Sequence, residues 1–92
     1  MNNSDPSAIS AEDLGNLRHM LGIGQHIPKR QWGFRNYYAS SVSDMPSMMR
    51  LEAAGFIRRG QPYEDAYYFH ATESGCRAAG LNAKQLQKAL GD

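Results

Sequence analysis

The chain has 92 residues, enough for one domain with a modest core. Apolar residues make up 41% and charged residues 21% of it, a balance typical of a globular protein and unlike that of a disordered one. No apolar run approaches the roughly 18 residues of a membrane span, the N-terminus lacks a secretory pattern, and the single Cys76 cannot form an internal disulfide. We therefore expect a cytoplasmic domain that does not enter a membrane.

The net charge is +1. Modules that bind nucleic acid usually carry a clear basic excess, because much of their affinity comes from neutralising phosphates. The overall balance therefore argues mildly against strong DNA binding, unless the cations cluster locally.

The first half of the chain combines one clear helix with an irregular segment. We expect residues 1–9 to be flexible and residues 10–92 to form the domain. Ser10 reads as the N-cap of a helix over 11–21 whose leucines fall on one face and which ends at Gly22. The segment 23–42 contains glycines, a proline and closely spaced aromatics, which predict a loop with a short strand or helical turn, largely folded onto the core.

The second half reads as helix, hairpin and two helices. Ser43 or Asp44 is predicted to cap a helix that runs to about Ala54, with Gly55 as its left-handed end. Residues 56–59 and 66–71 are predicted strands. Their connection, "GQPYED", contains Gly60 and Pro62 as turn formers. Two further helices are expected, the first capped by Thr72 and ended by Gly80, the second capped by Asn82 with Gln85.

A family resemblance follows from the stretch "MMRLEAAGFIRR…YYFHATESGCRAAG". It resembles the C-terminal half of MarR-like winged-helix domains. The matching residues are Leu51, Glu52, Gly55, Ile57, Arg58, Thr72, Glu73 and Gly75. The resemblance implies an α+β, winged-helix-like fold in which helices accompany a two-stranded antiparallel wing hairpin.

The first half departs from that family, because "GFRNYYASSVSD" stands where a winged helix has a compact second helix. The combination "NLRHMLGI…RNYY…YFHATESG…AAG" is similar to small phage and prophage proteins, which implies a phage origin.

The basic residues support a first hypothesis, a phage-type nucleic-acid-binding regulator of the helix-turn-helix class. Six cations could surround a phosphate backbone, and Trp32 or Tyr37 could stack on bases if exposed. They are Lys29, Arg30, Arg35, Arg50, Arg58 and Arg59. Against this hypothesis, Glu64 and Asp65 occupy the predicted wing tip, where a DNA reader would carry cations. The run "IRR" is also typical of a solvated strand face.

The predicted second helix supports the alternative, a protein–protein interaction module such as a phage-encoded inhibitor or adaptor acting on a host or viral complex. Met48 and Leu51 would face the core, which leaves Met45, Met49 and Ala53 as an apolar stripe on the opposite face. The stripe is either covered core or a partner interface. The candidate interface residues are Met45, Met49, Tyr63, Glu64 and Asp65.

We find no pattern that indicates an enzyme. The three histidines are scattered without metal-ligand spacing, and Cys76 has no neighbouring thiol. We therefore expect no catalytic residues, no metal and no cofactor, and a partner that is either DNA or a protein. A homodimer through the C-terminal helix, which carries Leu86 and Leu90, is compatible with both hypotheses.

Overall fold

A computed structural model describes residues 9–91, which form four α-helices and one three-stranded antiparallel sheet. The predicted α+β class is confirmed. The elements in chain order are α1 Ala11–Met20, β1 Tyr38–Ala39, α2 Met45–Ala53, β2 Ile57–Tyr63, β3 Ala66–Ala71, α3 Glu73–Ala79 and α4 Ala83–Ala89. The predicted flexible segment 1–9 lies outside the described residues except for Ile9, which packs against the core. Within the described part of the chain, no helix is both long and apolar enough to cross a membrane.

The strands are arranged in the order β1-β3-β2, so β3 is central and β2 lies at an edge. Phe69 and Ala71 of β3 are buried, as is Ile57 of β2. Helices α1, α2 and α3 contact the strands on this side. The core therefore occupies one face of the sheet, between the strands and the helices, and the alternate residues of β3 point to the other face.

Most predicted helix ends are confirmed. Ser10 Oγ accepts from Asp13 N and Thr72 Oγ1 accepts from Gly75 N, while Asn82 and Gln85 form a capping box. The predicted start of α2 is confirmed, since Asp44 is its N-cap residue, although the Asp44 side chain makes no capping hydrogen bond to α2. That side chain instead forms a capping box with Ser41, which opens a 3-10 turn, Val42–Asp44, that leads directly into α2.

The predicted hairpin connection is wrong, because β2 continues through most of it. Tyr63 pairs with Ala66, which leaves a two-residue turn in which Glu64 has φ 50°. Pro62 is tolerated because β2 is an edge strand, and a register shift lies between Arg59 and Pro62. Gly60 is a point of close approach, since a Cβ atom there would lie 2.7 Å from His70 Nε2.

Packing also requires a glycine at position 75. A Cβ atom at this position would overlap the carbonyl oxygen of Phe56, so the first turn of α3 rests directly on the backbone at the start of the hairpin.

The segment 23–42 contains both predicted features, a 3-10 turn at Lys29–Gln31 and the short strand β1. Trp32 is half-buried and donates from Nε1 to the carbonyl oxygen of Ile27 at 3.0 Å. The prediction that the aromatics fold onto the core holds only in part. Phe34 and Tyr37 remain 53% and 52% exposed.

Candidate functional site

The six predicted cations fall into separate environments, and Arg50 is held in the first. Its guanidinium binds Asp13 through two hydrogen bonds of 2.8 Å, and Glu12 lies 3.7 Å away. Asp13 is buried on α1 and also accepts from Ser47 Oγ at 2.6 Å. The hydrogen bond from Arg50 is the main cause that lowers the pKa of Asp13, and burial opposes it. Arg50 therefore links α1 to α2.

Arg59 is held in a similar way. It donates to Glu52 of α2 at 3.0 and 3.3 Å, and its guanidinium carbon lies 4.6 Å from the centroid of the Tyr67 ring. The hydrogen bond to Glu52 raises the pKa of Arg59. The exposed surface of α2 and the adjoining strand thus offers two arginines that are already paired with carboxylates.

Arg58 lies on the opposite face of β2 from Arg59. Its register partner is His70, whereas the partner of Arg59 is the buried Phe69. Arg58 is exposed, and among the described residues it has no ion-pair or hydrogen-bonding partner for its side chain. The structure therefore separates the two neighbouring arginines that the sequence had grouped together.

Lys29 and Arg30 belong to a group that the sequence analysis recognised only in part. Gln85 Nε2 donates to the carbonyl oxygen of Lys29 at 2.7 Å, and Lys88 Nζ donates to that of Arg30 at 3.0 Å. These bonds bring the 3-10 turn against α4. A cavity of about 340 Å³ opens between them. It is lined by Arg30, Asn82, Lys84, Gln85 and Lys88. We name Lys29, Arg30, Lys84 and Lys88 the basic cluster.

No carboxylate lines the cavity of the basic cluster among the residues that the structure describes. The sequence explains this, because it contains no Asp or Glu at 14–43 or at 74–91. The fold joins these two acid-free stretches. Lys84 and Lys88 were missed as candidates, and the distribution of acids along the chain is the signal that could have found them. The net charge of +1 does not reveal that the acidic residues are absent from these two stretches.

Arg35 lies on the same irregular segment, 23–42. Its guanidinium donates to the carbonyl oxygen of His19 at 2.7 and 3.1 Å and lies 5.4 Å from the Phe34 ring centroid. Arg35 thus closes the C-terminal turn of α1, where its charge also complements the helix dipole.

The face of the sheet that points away from the core forms a second concave surface, of about 570 Å³. We name it the outer face. Its lining residues are Tyr37, Arg58, Gly60, Gln61, Tyr68 and His70.

Asn36 positions one side of the outer face. Its side chain donates to the carbonyl oxygen of Ala71 at 3.0 Å and accepts from Ala71 N at 2.6 Å. Its own carbonyl oxygen lies 2.7 Å from His70 Nδ1, which must therefore be the donor. These bonds fasten the residue two positions before β1 to the end of β3, beyond the Tyr38–Phe69 pair, and set Tyr37 beside the sheet.

The residues of the alternative interface are only partly brought together. Tyr63, Glu64 and Asp65 line a concave site of about 290 Å³ with Val42, which is 62% exposed. We name these four residues the wing tip.

The methionine stripe is divided between the core and the surface. Met45 packs against the core and accepts from Ser40 Oγ through its sulfur, as the core interpretation requires. Met49 is 56% exposed and does not line the wing-tip site. On α4, Leu86 is buried in the core and Leu90 is 36% exposed, so only Leu90 remains for the predicted dimer contact.

A thiol and a cluster of metal-ligating side chains are the remaining features that catalysis could use. Cys76 is fully buried, and burial raises the pKa of its thiol to about 11, the opposite of what activates a nucleophile. Among the described residues there is no group of three His, Cys, Asp or Glu side chains that could hold a metal ion.

Comparison of the chain with protein-family models, with curated proteins and with solved structures gave no match.

Proposed function

We propose that this chain is a small, non-catalytic, winged-helix-like domain of the phage regulator type that binds nucleic acid through the basic cluster. The observation that carries the proposal is the convergence of Arg30, Lys84 and Lys88 around one cavity with no carboxylate among its described lining residues, beside Lys29 on the same 3-10 turn. Unpaired cations on one surface are the electrostatic footprint of phosphate binding.

The winged-helix part of the proposal is supported by element order. A helix, α2, is followed by the hairpin β2–β3, and β3 pairs on its other side with a strand that precedes α2. In this proposal the hairpin is the wing. Its tip carries Glu64 and Asp65, so it does not contribute positive charge.

The proposed mode of binding differs from readout of the major groove by α2. The exposed part of that helix presents Met49, and Arg50 is already bound to Asp13. A side chain that contacts a base edge must offer free donors or acceptors, and an apolar Met49 offers none of the strong ones. Contacts of the basic cluster with phosphates would position nucleic acid without selecting its sequence.

The test is a binding titration with fluorescent mixed-sequence oligonucleotides at a series of salt concentrations. Lys84→Ala should lower the slope of log K against log salt by about 0.7 for a single strand or 0.9 for a duplex, the effect of one lost phosphate contact. Arg77→Ala is the matched control, because it removes the same charge from an exposed helix position that is paired with Glu73. Equal effects of the two variants, or no binding by the wild type even at low salt, would overturn the proposal.

The wing tip favours a second candidate function, the protein-interaction module. An exposed Val42 beside two carboxylates combines an apolar contact with negative charge, which suits a basic protein surface and repels nucleic acid. This candidate predicts that Glu64→Lys together with Asp65→Lys abolishes a protein complex of the chain. Because Met49 is exposed, Met49→Asp should leave the fold intact and reveal whether that side chain belongs to the interface.

A further inference from the structure

The outer face of the sheet is not explained by phosphate binding at the basic cluster. It combines two tyrosines, one arginine without a side-chain partner among the described residues, a glutamine and a histidine in a single cavity of about 570 Å³. We propose that the outer face binds single-stranded nucleic acid, with a base stacked on Tyr37 and Tyr68 and a neighbouring phosphate on Arg58. This inference rests on the proposed function and assigns the class of nucleic acid to it.

The aromatic rings are placed on the surface and not in the core. Tyr37 is 52% exposed, and the pleat of β3 directs Tyr68 and His70 away from the buried Phe69. The Tyr68 ring also contacts Tyr63, with 4.8 Å between centroids, which restricts its motion. Exposed aromatic side chains on a free sheet face are the platform on which proteins stack the bases of single strands.

The polar groups of the cavity match the rest of a nucleotide. Arg58 supplies a positive charge, and no carboxylate lines the cavity in the described part of the chain. Gln61 offers both a donor and an acceptor for a base edge. Because His70 Nδ1 donates to Asn36, the ring is fixed, and neutral His70 has Nε2 as an acceptor.

Gly60 contributes to the same site by having no side chain. A Cβ atom at Gly60 would lie 2.7 Å from Nε2 and 2.9 Å from Cδ2 of His70, so a larger residue would force the His70 ring to shift. The close approach of His70 therefore explains the glycine at position 60, which strand formation alone would not favour.

The outer face is connected to the basic cluster by a single segment, 29–37. From Arg30 to Tyr37 it spans seven residues, so their α-carbons lie at most about 25 Å apart. Between them the segment carries Arg35 and the exposed Phe34. One strand could therefore follow the segment, with its phosphates on the cations and its bases on the aromatics.

The geometry favours a single strand over a duplex. Tyr37 and Tyr68 can stack only on a base whose flat surface is free, and in a duplex each base surface is covered by its neighbours. Phosphate contacts alone would not distinguish the two forms.

The test compares binding of labelled single strands of thymidine and of uridine, each of about 12 nucleotides in keeping with typical single-strand site sizes, with a mixed-sequence duplex. Tyr37→Ala should weaken binding of the single strands by about 5- to 150-fold, the range for one lost stacking side chain. It should leave the salt slope unchanged, because the lost interaction is not ionic. Tyr37→Phe, which retains the ring, should restore wild-type affinity.

Arg58→Ala provides the second arm, and it should lower the salt slope by about 0.7 for the single strand. Circular dichroism checks that both exposed-site variants retain the fold. The thymidine and uridine strands differ in the ribose 2′-hydroxyl and in the C5 methyl group, and binding of either strand in preference to the duplex supports the inference.

The results separate the two proposals. No binding of any strand by the wild type removes the proposed function. Wild-type binding that is equally strong for the duplex, and insensitive to Tyr37→Ala, overturns only the assignment of the outer face and leaves the basic cluster in place.

Discussion

The arginines of this small domain have two different roles, and the positions of the carboxylates decide which role each arginine has. In the region of α1, α2 and β2, Arg50 and Arg59 meet Asp13 and Glu52, and the pairs hold the elements together. In the region of segment 29–37 and α4, Arg30 meets two lysines and no carboxylate lines their cavity among the described residues. The comparison shows that the number of cations says less about binding than the distribution of the anions. We expect the loss of an arginine that is paired with a carboxylate to alter stability and the loss of a cation without such a partner to alter binding.

The largest effect on stability should come from Asp13→Ala. This change leaves the buried Ser47 hydroxyl without its acceptor and releases Arg50, so we expect the free energy of unfolding to fall by about 1–3 kcal/mol. Urea unfolding measures it. Asp13→Asn, which retains the shape and one acceptor oxygen, should cost less. Weaker nucleic-acid binding by a folded Asp13→Ala protein would contradict the division into two regions.

The same carboxylate predicts how stability depends on pH. The folded-state pKa of Asp13 lies below its ordinary value of 3.8, which it regains on unfolding. The unfolded chain therefore binds more protons between those two values, and stability rises with pH there. The contribution of Asp13 is complete above about pH 4 and is lost as the pH falls through the lower folded-state value. Urea midpoints measured at decreasing pH test this expectation, and Arg50→Ala should make their decline shallower.

Arg58 and Arg59 allow the comparison to be made within one strand. Arg59→Ala should lower the urea midpoint, because it removes the ion pair with Glu52 and the stacking on Tyr67, and should leave oligonucleotide affinity unchanged. Arg58→Ala should leave the urea midpoint unchanged and weaken oligonucleotide binding. Unfolding and anisotropy measurements on both variants check this. Identical behaviour of the two variants would contradict the assignment of stability to Arg59 and of binding to Arg58.

The smallest effect should come from Glu64→Lys at the wing tip. Tyr63 of the wing tip contacts Tyr68 of the outer face, whereas Glu64 lies in the turn beyond it and is exposed. If Glu64 does not touch the bound strand, reversing its charge should change affinity by no more than about twofold at physiological salt, where charges beyond about 8 Å are screened. A large gain in affinity would show instead that the tip lies close to the bound strand. The anisotropy titration used for the other variants is sufficient.

The local features of the fold could be predicted from the sequence. Ser10, Thr72 and the pair Asn82 and Gln85 mark helix starts, and Gly80 marks an end, because caps and left-handed turns depend on residues close in sequence. The hairpin was predicted too short because Gly60 and Pro62 usually form turns. Their actual roles depend on His70 and on the edge position of β2, which are set by strand pairing.

The candidate site was harder to predict for the same reason. Lys29, Arg30 and Arg58 are exposed and remain candidates for binding nucleic acid, whereas the sequence gave no sign that Asp13 and Glu52 would engage Arg50 and Arg59. Arg50 and Asp13 are 37 residues apart. Lys84 and Lys88 join Arg30 only because α4 packs against the 3-10 turn. Contacts between distant elements decided which cations remained free.

The central claim is tested most directly by a salt series of oligonucleotide binding with the triple variant Arg30→Ala, Lys84→Ala and Lys88→Ala. These side chains are exposed, but Lys88→Ala also removes the hydrogen bond to the carbonyl oxygen of Arg30, so circular dichroism and urea unfolding first check that the variant is folded. We predict that it loses about 2 from the salt slope for a single strand, the sum for three phosphate contacts, and binds at least roughly tenfold more weakly at low salt. Wild-type affinity and an unchanged slope in the folded triple variant would contradict the assignment of nucleic-acid binding to the basic cluster.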